Sequence, residues 1–270
     1  MSVTMDKNNS LMPVGFVGHG APTLGLEKKG PAIEAWKAWA KALPKPKAVV
    51  MVSAHWLERP VHIGPTLKTG LIYDFYGFPD ELYQVKYPVP PAPELGREVF
   101  SLLSQAGLKP IESPSRGLDH GAWVPLVHMF PDADIPVLQV SIGTHVPMAE
   151  HIALGKTLAP LRSQGVFILG SGNITHNLRI VNFRDRYGKP ETWAGEFDEW
   201  ARENLENRDL EALSRYATEA PSARTAHPTD DHYTPLLVAM AAGEGPKTGV
   251  TFPHTGFEYG TLSMRCVEFQ

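Results

Sequence analysis

Eleven histidines are spread through this 270-residue chain, and their contexts separate them. Three follow apolar runs that read as strand ends. Pro13-Val14-Gly15-Phe16-Val17-Gly18 runs into His19-Gly20-Ala21-Pro22. Val49-Val50-Met51-Val52 runs into Ser53-Ala54-His55-Trp56. Val166-Phe167-Ile168-Leu169 runs into Gly170-Ser171-Gly172-Asn173-Ile174-Thr175-His176. A fourth, His232, sits in a polar turn from Ala226 to Tyr233. A fifth, His120, lies in Gly117-Leu118-Asp119-His120-Gly121-Ala122-Trp123. Imidazoles gathered from separate strand ends are what an open metal site needs. Each offers a neutral nitrogen donor, and together they leave coordination positions for substrate and for oxygen or water. Glycines beside His19 and Asn173 let the backbone approach closely.

The competing reading is that a lone histidine near a strand end is a hydrogen-bonded core residue. That reading is kept for His62, His128, His145, His151 and His254. His227 either lines the site or holds the turn before His232. For His19, His55, His176 and His232 both readings stay open, because they stand too far apart in sequence to form a local metal motif. Other chemistries fit less well. Gly170-Ser171-Gly172 lacks the Gly-x-Ser-x-Gly pattern of a nucleophile elbow. No Walker loop occurs, and no dinucleotide Gly-x-Gly-x-x-Gly follows a strand. No paired acids share a face as glycoside chemistry requires.

The elements that must position these residues alternate between strand and helix. The apolar runs are continuous rather than alternating, the pattern of parallel strands covered on both faces. In open α/β sheets ligands sit outside the carboxyl ends of the strands. The predicted fold is therefore α/β: a single domain with a central mostly parallel or mixed sheet flanked by helices, and the active site at the strand carboxyl ends. Residues 1–12 are expected to be a disordered N-terminus and 13–270 one catalytic domain. Helices are expected near Pro31–Ala42, Glu94–Ala106, from the His120 loop to Met129, over Pro147–Arg162, over Glu191–Tyr216, and over Pro235–Ala242 with Thr234 as its N-cap. Between Leu67 and Pro93 aromatics mix with Gly and Pro, which predicts a structured loop forming a lid or wall over the site.

Composition narrows the partners. Charged residues make up 20% and the formal charge is −4 with no basic stripe, so nucleic acid is a poor partner. No apolar stretch approaches ~20 residues, so no membrane span is expected and the location is expected to be cytoplasmic. The single cysteine, Cys266, excludes an internal disulfide and is expected to be a small core residue. No segment declares an oligomer interface, although surface helices could pair subunits into a homo-oligomer.

Taken in order, Gly18-His19-Gly20-Ala21-Pro22, Ser53-Ala54-His55-Trp56, Asp74-Phe75-Tyr76-Gly77-Phe78-Pro79, Leu118-Asp119-His120-Gly121-Ala122-Trp123, Gly170-Ser171-Gly172-Asn173 with His176-Asn177-Leu178, and His232-Tyr233-Thr234-Pro235-Leu236 form a set. The set resembles the class III extradiol ring-cleavage dioxygenases, in the DOPA 4,5-dioxygenase-like branch, from about Pro13 to Phe269. Any one motif is weak; the ordered set is strong. The resemblance implies a non-haem metal, typically Fe(2+), and insertion of both atoms of O₂ into a small catechol-type aromatic. It implies His19, His55 and His232 as metal ligands, with His232 standing where the protocatechuate branch uses a glutamate. Such an all-nitrogen set also suits Zn(2+). His176 and His120 match the family's catalytic histidines, with His176 also a candidate fourth ligand. Tyr73, Phe75, Phe78 and His227 are expected to contact substrate. Two alternatives remain: a zinc-dependent hydrolase on the same scaffold, and a non-catalytic metal-binding protein.

Overall fold

The computed structural model describes residues 11–68, 70–245 and 249–270. The expected disorder of residues 1–10 lies outside these. Met12, expected in the disordered segment, is buried, and its N–H donates to the Arg162 carbonyl. The chain lays down β1 (Val14–Gly18), α1 (Pro31–Ala42), β2 (Ala48–Ser53), β3 (His62–Gly64), α2 (Pro93–Gln105), β4 (Ile111–Glu112), α3 (His120–Met129), β5 (Val137–Val140), α4 (Met148–Leu158) and β6 (Val166–Gly172). It continues with α5 (Thr192–Glu206), three short helices α6 (Leu210–Ser214), α7 (Tyr216–Glu219) and α8 (Ala223–Ala226), then α9 (Thr234–Ala242). The closing strands are β7 (Val250–His254), β8 (Phe257–Glu258), β9 (Leu262–Ser263) and β10 (Cys266–Phe269).

Eight strands form one sheet in the order β4-β3-β5-β2-β6-β1-β10-β7. The four central strands, β5, β2, β6 and β1, run parallel. Antiparallel β10 and β7 extend one side, and β3 runs antiparallel to β5 on the other. The sheet is thus mixed with a parallel centre. Successive side chains of a strand point to opposite faces, and here both faces are apolar. Val50, Val52 and Ile168 pack with α2, α4, α5 and α9, whereas Val49, Met51, Phe167 and Leu169 pack with α1 and α3. That double covering is why the sequence shows unbroken apolar runs.

Two expectations need correction. The helix expected over Glu191–Tyr216 is broken after α5. Arg208 takes a left-handed φ of 56°, and the Asp209 carboxylate accepts from the Ala212 N–H to start α6. Thr234 does not cap α9 but is its first residue, and its hydroxyl donates back to the Asp230 carbonyl. Cys266 is fully buried in the core, as expected.

Because β1, β2 and β6 are parallel and adjacent, their carboxyl ends lie side by side. The His19 N–H donates to the Gly172 carbonyl at 3.0 Å, and the Ala54 N–H donates to the Ser171 carbonyl at 3.0 Å. The loop before α9 crosses close over β6, and small residues permit it. A Cβ at Gly172 would lie 2.0 Å from the His232 carbonyl oxygen, and one at Gly170 would lie 2.3 Å from that of Pro235. Gly172→Ala is therefore expected to push His232 away from its neighbours. Overpacking of this kind costs about 1–3 kcal/mol, which in a chain of this size lowers Tm by about 2–4 °C per kcal/mol. Thermal unfolding should show that drop together with reduced metal affinity, whereas an unchanged Tm and affinity would mean the loop rides freely over the strand.

Candidate metal centre

Five histidines meet at these strand ends. The ring centroids of His19, His55 and His232 form a nearly equilateral triangle with sides of 5.0, 5.3 and 4.9 Å. His120 lies 3.9 Å from His55 and 5.5 Å from His19. His176 stacks face to face on His232, 3.4 Å between centroids and 4° between planes. All five line one cavity of about 440 Å³, within the range of about 300–1,000 Å³ usual for small-molecule sites.

Neighbouring groups dictate which ring nitrogens carry protons. His19 Nδ1 lies 2.9 Å from Ser171 Oγ, and that hydroxyl donates its own proton to the Gly121 carbonyl at 2.5 Å. Ser171 must therefore accept from His19, which puts the proton on Nδ1 and the lone pair on Nε2. His232 Nδ1 contacts the Asp231 carboxylate. His55 Nδ1 lies 3.5 Å and His120 Nδ1 lies 2.9 Å from the two oxygens of Asp74. A carboxylate only accepts, so His232 carries its proton on Nδ1, while Asp74 stands at ion-pair distance from His55 and His120. Orienting partners of this kind are the usual companions of metal-binding histidines. His19 and His232 then turn lone pairs inward. His19 Nε2 and His55 Nε2 stand 3.1 Å apart, and His232 Nε2 is buried with no partner. Two nitrogens bound to one ion at about 2.0–2.1 Å, at angles from square to tetrahedral, would lie about 2.8–3.4 Å apart. The residues present fit a metal.

Burial keeps these rings neutral. Desolvation first, then the charges of neighbouring histidines, hold His19 and His232 well below the usual imidazole value. Burial likewise lowers His55 and His176 to about 4. Asp74 stays below the ordinary carboxylate range: burial pushes it up, but the hydrogen bond and charge of His120 outweigh that.

Residues 17–267 match the family described as the catalytic LigB subunit of aromatic ring-opening dioxygenase. The chain belongs to this family. A relative in Beta vulgaris named "4,5-DOPA dioxygenase extradiol" is 38% identical, covering 98% of this chain and 99% of the relative. A protein of the same name in Escherichia coli K12 is 36% identical over 97% of this chain and 96% of that one. The crystal structure of an uncharacterized protein from Escherichia coli K12 superposes with a TM-score of 0.80 at 33% identity, covering 96% of this chain and all of the other. Membership in the dioxygenase family implies a non-haem metal bound by histidines and favours an oxidoreductase over the hydrolase and the non-catalytic alternatives. No helix among the described residues is long and apolar enough to cross a membrane.

The structure brings His19, His55, His120, His176 and His232 together, with Phe75 and Phe78 on the cavity wall. It also offers a rival trio, because nitrogens of His19, His55 and His120 lie within 4.8 Å of one another. Two expected substrate contacts fall elsewhere. Tyr73 turns inside its loop, where its hydroxyl donates to the Val85 carbonyl at 2.6 Å and its ring packs on Phe75, Tyr83 and Trp123. His227 lies behind the cavity among Phe197, Tyr216 and Tyr233, with Nε2 2.7 Å from the Ile174 carbonyl. Three histidines take structural places: Nδ1 of His62 meets Ser113, Nε2 of His128 meets the Leu24 carbonyl, and Nε2 of His151 meets the Gly143 carbonyl. The other two depart from the expected core reading, since His145 is exposed and His254 is half-buried beside a different cavity. Sequence reasoning assigned no role to Asp74 or Asp231. Asp231 directly precedes His232, a signal in plain view, and Asp74 opens a motif already singled out. Phe183 and Tyr259, also on the cavity, carried no signal.

These buried neutral rings make stability depend on pH. Unfolded histidines titrate near ~6.5, whereas His55, His176 and His227 are held near about 4 when folded. Below pH ~6.5 the unfolded chain binds protons that the folded one refuses, so stability is full above that pH and is lost as pH falls from there toward about 4, by up to about 1.4 kcal/mol per unit for each group. Metal-free protein should show a Tm that declines steadily from pH 7 to 4.5; a flat profile would contradict the burial of these rings.

Proposed function

We propose that residues 13–270 act as one extradiol catechol dioxygenase, in which His19, His55 and His232 hold iron(II) while His176 and His120 serve the catechol. The observation that carries the reading is the convergence of the His19, His55 and His232 rings with the lone pairs of His19 and His232 turned inward, a donor set that suits a cation. His232 is preferred to His120 as third ligand because its ring completes the even triangle with His19 and His55, whereas His120 leans on His55. When bound, iron(II) passes electron density from a catecholate to O₂, which zinc, without redox chemistry, does not do.

The chain's own residues supply the rest. His176 is neutral near pH 7, so it can take a proton from a catechol hydroxyl, and the nearby Asp231 charge steadies the imidazolium that results. The stack on His232 fixes its ring. His120 is oriented by Asp74, which also accepts from its backbone N–H at 3.0 Å, and it faces the same cavity. Phe75 and Phe78, in edge-to-face contact at 5.2 Å, form a wall for the aromatic ring and exclude water from it. The ring then opens beside its hydroxyls, with both atoms of O₂ in the product. The name of the similar proteins makes L-DOPA the first substrate to try.

Metal-free protein reconstituted anaerobically with iron(II) is expected to take up oxygen with L-DOPA or catechol and to form a yellow ring-opened product. Zinc-loaded protein is expected to take up none. No uptake with iron and any catechol would overturn the dioxygenase reading. His232→Ala should leave little metal bound, whereas His120→Ala should keep one ion per chain and lose turnover by about 10²–10⁴-fold. The reverse outcome in a metal assay would make His120 the third ligand.

A further inference from the structure

We propose that Pro125, a proline inside α3, and Ser171 together fix the ring tautomer in which His19 meets the metal. The inference rests on the metal centre of the proposed dioxygenase, and it adds two positioning residues that act through His19 rather than on the ion.

The relay starts from a missing donor. In a helix the Gly121 carbonyl would accept from the N–H four residues on. That residue is Pro125, which has no N–H and whose ring crowds the same carbonyl. Gly121 is buried, and a buried carbonyl without its helical partner needs another donor. It finds Ser171 Oγ at 2.5 Å. A carbonyl has no proton to give, so the hydroxyl commits its single proton there. Ser171 can then only accept from His19 Nδ1, 2.9 Å away. With that proton on Nδ1, the lone pair of His19 lies on Nε2, the nitrogen 3.1 Å from His55 Nε2. Which imidazole nitrogen is free for a metal is set by the hydrogen bond that the other one makes.

Packing holds the relay in place. Ser171 is fully buried, so its hydroxyl relies on these two partners. The first turn of α3 is pressed onto the strand ends: a Cβ at Gly121 would lie 2.4 Å from Ser53 Oγ and 2.9 Å from His55 Cδ2. Ser53 stands beside Ser171 in the register of β2 with β6. Its hydroxyl donates to the Asp119 carboxylate at 2.7 Å, so its proton does not serve the Gly121 carbonyl. The sheet thus offers two neighbouring hydroxyls to one helix turn, and Gly121 takes the one that also meets His19. A residue with an N–H at position 125 would satisfy the Gly121 carbonyl from within the helix. Ser171 would then be free to donate to His19 Nδ1, and His19 would hold its proton on Nε2, where the ion must bind.

The test reads tautomer and metal affinity rather than turnover. Long-range proton–nitrogen NMR correlation spectra of the metal-free full chain locate the His19 proton, with His19→Gln identifying its signals. Chelator competition gives the affinity for Zn(2+). In the unaltered protein the proton is expected on Nδ1. Ser171→Ala is expected to move it to Nε2 and to weaken zinc binding by about 10–100-fold, the usual effect of losing a partner behind a metal-binding histidine. Pro125→Ala supplies the missing N–H in a helix that accepts alanine more readily than proline, and is expected to act in the same direction by about tenfold. If Ser171→Ala does not fold, Pro125→Ala decides alone. A proton already on Nε2 in the unaltered protein would overturn the relay, and so would a folded variant of either kind in which tautomer or affinity stays as it was. Zinc that fails to bind the unaltered protein would instead overturn the metal centre on which the relay depends.

Discussion

Imidazole nitrogens crowded into one buried pocket are the constraint on which the rest of this structure depends. His19 Nε2 and His55 Nε2 stand 3.1 Å apart, and His232 Nε2 is buried beside them without a partner. Burial also keeps His19 and His232 from taking up further protons. They persist because each ring is gripped from behind. Ser171 holds His19, Asp231 holds His232, and Asp74 holds His55 and His120 together. A metal held there would take up the inward lone pairs of rings that are already oriented.

The grips are themselves anchored in the sheet. Ser171 lies in β6, accepts from the histidine that follows β1, and donates to Gly121 in α3, so one hydroxyl ties three elements. A buried carboxylate does similar work on the other side. Asp119 accepts from Ser53 at 2.7 Å and Gln139 at 2.7 Å, pairs with Arg116, and caps α3 through the Ala122 N–H. The end of β2, the middle of β5 and the start of the His120 helix are therefore fixed to one another. Every member of that network has partners, which is the condition for a buried polar cluster to rigidify rather than destabilise. Arg116 also lies 4.1 Å from the Trp56 ring, next to His55.

The parts legible in the sequence are those that local pattern determines. Parallel strands buried on both faces read as continuous apolar runs, and α1 matched its periodicity from Pro31 to Ala42. The histidines at strand ends were visible because the strands were, and their convergence followed from the rule that sites lie at carboxyl ends. What failed depended on tertiary context. The break after α5 uses a left-handed arginine rather than a glycine, so no composition marks it. Tyr73 and Phe75 are equal in sequence, but only a fold decides which ring turns to the cavity and which hydroxyl finds a carbonyl inside the loop. His227 stands five residues before His232, yet a carbonyl behind the site takes its nitrogen. Phe183 and Tyr259 are 76 residues apart and meet where the Tyr259 N–H bonds the Arg186 carbonyl.

The pair His176 and His232 shows how geometry separates roles that residue type cannot. An imidazole donates to a metal through a lone pair lying in the plane of its ring. Two rings stacked 3.4 Å apart and within 4° of parallel have planes that do not meet near the site. They cannot both direct a lone pair at one ion unless one of them tilts. His232 has its Nδ1 held by Asp231 and its Nε2 buried among the other ligands, so it is the less able to turn. His176 has no side-chain anchor of that kind and keeps one face toward the cavity. In the proposed dioxygenase that difference suits the two to different tasks, His232 to holding the ion and His176 to moving a proton beside it. Service by His176 as a fourth ligand would then require the stack to open, which ties any such closure of the centre to loss of the proton-handling position.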